Sequence, residues 1–139
     1  MKNRKIAFSF LLILSLFLVL NGCTPATTSK FENLVLSAAV DEEHYPVTPS
    51  TTFGPTTPII YLTGNLKDAE IDSVVIAEWY YLGGEEDLYL YQMTLEVTEV
   101  DMGFYVSLSK PTDDWFVGDY EILLFYDNVL METIEFIIE

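Results

Sequence analysis

The sequence predicts an all-β protein, an antiparallel sandwich of seven strands. Three observations carry this expectation. From Pro58 to the end, short apolar or aromatic runs alternate with turn residues at the spacing of a sandwich, and only one further proline, Pro111, interrupts them. No segment of that region repeats its apolar residues at helical spacing. Half of the 139 residues are apolar, enough for one core, and the length fits one domain and not two.

The elements follow in order. A first strand is expected over 33–40, where Leu34, Leu36, Ala38 and Val40 alternate onto one face. Residues 41–58 contain Pro46, Pro49, Pro55 and Pro58, a long connection for a compact domain. Two arrangements fit: the connection wraps an edge in extended conformation, which is the expected one, or the domain begins near Thr57. Further strands are expected over 59–66, 73–82, 88–98, 103–109, 118–126 and 129–138, and Lys67-Asp68-Ala69-Glu70 could make a single turn of helix at most. Asp127-Asn128 tolerates the left-handed conformation of a tight hairpin, and Gly83-Gly84 and Asp101-Met102-Gly103 mark other reversals. Alternation then places Val75, Ala77, Trp79 and Tyr81, Phe104, Val106 and Leu108, Tyr120, Ile122 and Leu124, and Ile134, Phe136 and Ile138 on core faces.

Ahead of these strands stands a different kind of sequence. Lys2, Arg4 and Lys5 precede a 15-residue apolar run, Ile6 to Leu20, broken only by Ser9 and Ser15. A membrane-spanning helix needs about 20 residues, whereas a secretory signal uses a short run behind positive charge. The run ends in Leu20-Asn21-Gly22-Cys23, which resembles the lipobox of bacterial lipoproteins, although Asn21 departs from the small or hydroxylated residue most frequent there. The resemblance implies cleavage before Cys23, acylation of its sulfur, and a location on the extracytoplasmic face of the bacterial cell membrane. The expected division is a signal peptide, a helix, at 1–22, lipidated Cys23 with a flexible tether to residue 30, and a sandwich domain at 31–139.

Removing residues 1–22 would leave three Lys and no Arg against all 22 acids, a charge of −19 in place of −16. Such a surface repels phosphate backbones, so no nucleic-acid partner is expected. The lone Cys excludes an internal disulfide and a Cys-built zinc site.

Gly118-Asp119-Tyr120, following Trp115 and opening a strand that ends in a tight hairpin, resembles the corner before the penultimate strand of immunoglobulin-like domains. There a tyrosine hydroxyl bonds back to the backbone, and Trp79 would be the matching core aromatic. The run from Trp115 to Phe136 is similar to the C-terminal part of Ig-like modules on bacterial surface lipoproteins. The Cys pair of antibody domains is absent, so the resemblance carries the sandwich architecture alone.

Chemistry-bearing residues are few. His44, the only His, adjoins Asp41, Glu42 and Glu43, but no ligand spacing supports a metal, and Glu85-Glu86-Asp87 and Asp113-Asp114 lack the spacing of a calcium loop. No catalytic residue, metal or cofactor is expected. Tyr89 and Tyr91 should share one face of their strand, and with Tyr80 and Phe125 they would form an outer aromatic patch; Trp115 is a separate candidate for contact or for packing beneath the corner. The function expected on these grounds is a non-enzymatic, lipid-anchored extracytoplasmic module for protein interaction or structural presentation. Its partners would be the membrane through Cys23 and an envelope protein or glycan. The alternatives are a surface module for polysaccharide or calcium and, more distantly, an envelope hydrolase.

Overall fold

A computed structural model describes residues 29–139, and the apolar leader, the lipobox and Cys23 lie outside them. Nine strands form: β1 (Lys30–Val40), β2 (Pro46–Pro49), β3 (Thr52–Phe53), β4 (Ile59–Lys67), β5 (Val74–Tyr81), β6 (Leu88–Glu96), β7 (Met102–Ser109), β8 (Gly118–Tyr126) and β9 (Val129–Ile138). They build two sheets, β2-β1-β4-β7 and β3-β9-β8-β5-β6. All pairings are antiparallel except β3 with β9, which is parallel.

Seven strands correspond to the seven expected segments. The two additional ones lie inside the Pro-rich connection, which therefore wraps the molecule as expected and leaves 33–40 in a sheet. Its first half pairs with β1 at one edge, with Pro49 opposite Ser37, and its second half crosses to β9 at the edge of the other sheet. Prolines are tolerated there because an edge strand needs hydrogen bonds on one side only. Lys67–Glu70 makes no helix.

The inner faces supply one core. Trp79, Ala77 and Val75 of β5, Tyr120, Ile122 and Leu124 of β8, Phe136 and Ile138 of β9, and Phe104 and Val106 of β7 are buried as the alternation required. Phe136 sits at its centre, stacked on Tyr120 at 5.0 Å and meeting the edges of Trp79 and Phe53 at 6.0 Å each. The Trp79 indole N–H is the one buried side-chain donor without an acceptor among the described residues.

β1 departs from simple alternation. Its register against β4 shifts between Glu32 and Val35, at Asn33, which has a left-handed φ of 52°. The extra residue of this bulge lets Phe31 and Leu36 both face inward, opposite buried Leu66 and Leu62, while Ala38 is exposed. The expected face of Leu34, Leu36, Ala38 and Val40 is corrected accordingly. A Cβ on Gly64, opposite the bulge, would meet Leu34 Cδ2 at 2.7 Å, so glycine permits the close approach of the two strands there.

At the other end of the sandwich the Tyr120 hydroxyl donates to the Phe116 carbonyl at 2.7 Å, and burial pushes its pKa up to about 12. The Trp115 indole N–H donates to the Thr57 carbonyl at 2.7 Å, fastening the Pro-rich connection under this corner. Asp127 and Asn128 both adopt the positive φ expected of the β8–β9 turn, at 44° and 66°. The Asp127 carboxylate accepts the Val74 N–H at 2.9 Å, and so ties the turn to β5.

Candidate functional site

The outer face of the four-stranded sheet carries a groove that sequence reasoning did not anticipate. Because Phe104 and Val106 turn inward, Tyr105 between them must point outward. It lies opposite Thr63 of β4, which in turn lies opposite Val35 of β1, so the three make a row across the sheet. The next pair along is Asn65 and Gly103; Gly103 brings no side chain to that face, and a Cβ there would stand 3.7 Å from Asn65 Oδ1. The β1 bulge adds exposed Asn33 to the same depression.

One wall is the turn between β1 and β2. Asp41 accepts the N–H groups of Glu43 and Tyr45 on Oδ1, both at 2.9 Å, and its carbonyl accepts the His44 N–H at 3.0 Å. This local capping explains the Asp at position 41. It holds His44 at a positive φ of 65° and lays its imidazole on Tyr105, with centroids 4.5 Å apart and planes 7° from parallel. Tyr61 flanks Tyr105 at 6.4 Å. The resulting groove has a volume of about 570 Å³, and Glu43, Tyr45, Asn33, Asn65, His44 and Tyr105 bring the polar and aromatic groups to it. A smaller one, about 460 Å³, lies between Thr51, Leu82 and the Asp119–Ile137 pair.

His44 is therefore an exposed wall residue, and Asp41 is occupied by the turn. Among the described residues no three His, Cys, Asp or Glu side chains converge as a metal site, and this includes His44 and its acidic neighbours.

The predicted aromatic positions are brought together only in part. Tyr80 and Tyr89 meet edge to face at 5.7 Å, and the Tyr80 hydroxyl donates to Glu78 at 2.8 Å, a bond that raises the tyrosine pKa. Tyr91 does not join them. The β5–β6 register shifts between Trp79 and Tyr80, which puts Tyr89 opposite Tyr80 and Tyr91 opposite Trp79. The two tyrosines expected on one face thus belong to opposite faces. Phe125 is half-buried opposite Ile76, four residues along β5 from Tyr80. Trp115 is buried at 3% exposure, packed edge-on against Tyr120 at 5.8 Å. Cys23 lies outside the described residues.

No family model and no curated protein matches this chain. Among solved structures, it is similar to the Pseudomonas fluorescens alkylpurine DNA glycosylase AlkC bound to DNA containing an abasic site analog. Identity is 15% and the TM-score is 0.48, with 80% of this chain and 30% of that one covered. That neighbour is an enzyme on DNA. Three expectations do not match it and are set aside: the module for protein, polysaccharide or calcium; the absence of enzymatic activity; and the partner set of envelope protein or glycan that excluded nucleic acid. The glycosylase activity and the DNA belong to the neighbour, of whose length this chain spans about 30%.

Proposed function

We propose that this chain is an immunoglobulin-like β-sandwich that binds a small molecule in the groove over its four-stranded sheet. The observation that carries the binding reading is the His44–Tyr105 stack, which fixes an aromatic wall beside two open carboxamides. Specific ligand sites are preformed concavities of about 300–1,000 Å³ in which a few polar groups converge on a largely apolar surface. The groove falls in this range, and its parts are held in advance by the Asp41 cap and the Asn33 bulge.

Three features support the finer architectural reading. The connection between β1 and β4 changes sheets and runs parallel to the last strand, the Tyr120 hydroxyl bonds back to Phe116, and Trp79 is buried on the strand packed beside β8. The two extra strands, β2 and β3, are edge additions to the seven expected.

A proposal about address rests on the sequence alone. The basic start, the 15-residue apolar run and Leu20-Asn21-Gly22-Cys23 support export, cleavage before Cys23, and lipid attachment at the extracytoplasmic face of a bacterial membrane. Metabolic labelling with a fatty acid should mark the protein and not its Cys23→Ala variant; equal labelling of the variant would sink it.

The binding reading is tested by a nuclear magnetic resonance screen of small planar, cationic and hydroxylated fragments against the full chain. Shifts confined to Asn33, His44, Asn65 and Tyr105 are expected, and they should vanish in Tyr105→Leu. Binding that collects at Asp119 and Glu135, or no binding at all, overturns it.

A further inference from the structure

The groove has a definite electrostatic character, which narrows the ligand class. Resting on the reading of the groove as a ligand site, we infer that its ligand is a small organic cation, an alkylated ammonium or amine. Glu43 is the one carboxylate among the residues that line the groove, and no Lys or Arg is among them. The described chain carries three Lys against 22 acids; Lys30 pairs with Glu32, the residue opposite Asn65, at 2.9 Å, Lys110 pairs with Asp114 at 3.3 Å, and Lys67 lies two residues beyond Asn65 on β4. An anion would meet a net field of its own sign, and no Lys or Arg lines the groove to offset it.

Among cations, a metal ion is disfavoured by the donors. Calcium takes about six to eight oxygens, and no three His, Cys, Asp or Glu side chains converge among the described residues. A weakly hydrated organic cation asks for different partners: aromatic faces within about 6 Å of the charge, and one carboxylate or a few carbonyl oxygens. The groove offers this set. Tyr45 is 63% exposed, Tyr105 is half-exposed with one ring face under His44, and Glu43 stands on the turn. The carboxamides of Asn33 and Asn65 make no hydrogen bond with the described residues, which leaves their oxygens open to N–H or polarised C–H groups.

The test compares three probes of one size and different charge, tetramethylammonium, tert-butyl alcohol and pivalate, each titrated into the full chain and followed by backbone amide shifts. Tetramethylammonium should give saturable shifts at Asn33, His44, Asn65 and Tyr105. Its affinity should fall about tenfold in Tyr105→Leu, the scale of a cation–aromatic contact, and severalfold in Glu43→Gln; pivalate should give none. Equal binding of tert-butyl alcohol overturns the cationic class while leaving the groove as a site. Shifts spread along Glu85–Asp87 and Asp113–Asp114 mean simple counter-ion association and overturn it too. Silence from all three probes, with fragments binding the groove in the wider screen, removes the cation alone; silence there as well removes the site.

Discussion

The imidazole of His44 lies flat on the phenol ring of Tyr105, 61 residues later in the chain, at a centroid distance of 4.5 Å. His44 is exposed and its turn is held by Asp41, so the stack shapes the groove more than it stabilises the fold. His44→Ala should lower unfolding free energy by only about 0.5–1.5 kcal/mol, the worth of an aromatic pair, and leave the core spectrum intact. Urea unfolding checks the first and methyl shifts of Ile122 and Leu124 the second.

Tyr120 governs the opposite end of the sandwich. Tyr120→Phe removes the bond to Phe116 and leaves that carbonyl without its partner, at a cost of about 1–3 kcal/mol. The same hydroxyl makes stability depend on alkaline pH. Its folded pKa, about 12, lies above the usual tyrosine value of about 10, so the folded state holds the proton more tightly. That contribution is complete below pH ~10 and is lost as pH rises toward 12 and beyond. The wild type should therefore lose stability over this window more steeply than Tyr120→Phe.

Glu121 and Glu135 face each other across β8 and β9. Partial burial, with Asp87 and Glu135 nearby, raises the Glu121 pKa, so its ionisation opposes folding: the favourable state is the protonated one at low pH, lost as pH rises through the folded value. Glu121→Gln should stabilise the protein at pH 7 by a few tenths of a kcal/mol, the low end for like charges directly opposed on a sheet. Added salt should shrink the difference, and thermal unfolding at two ionic strengths measures both.

Gly118 opens β8 with φ of +142°, and a Cβ there would meet Tyr81 Cε2 at 3.1 Å. Gly118→Ala should cost about 1–3 kcal/mol through backbone strain. Phe136→Ala, which empties the centre of the core, should cost about 3–5 kcal/mol. Denaturant midpoints of the two variants rank these effects.

Most strands were legible because both hydrophobic pattern and turn chemistry marked them. β8 and β9 have the predicted bounds, Gly118–Tyr126 and Val129–Ile138, since Asp127-Asn128 fixes their turn and Ile122, Leu124 and Phe136 their inner faces. The bulges were not legible. One extra residue at Asn33 turned Phe31 inward, and another in β6 parted Tyr91 from Tyr89; a two-residue period carries no mark of such an insertion. Asn33 itself offered a weak signal, being a residue that tolerates positive φ. The groove was illegible because it depends on tertiary placement: a turn beside Pro46 meets β7 across the sheet, and nothing near His44 in sequence indicates Tyr105.

The measurement that bears most directly on the binding account is the intermolecular nuclear Overhauser effect between tetramethylammonium methyl protons and the full chain. The account predicts contacts to the ring protons of Tyr105 and Tyr45, lost in Tyr105→Leu while the core contacts of Phe136 persist. Contacts to the groove beside Asp119 and Glu135, or none from a saturated sample, would contradict it.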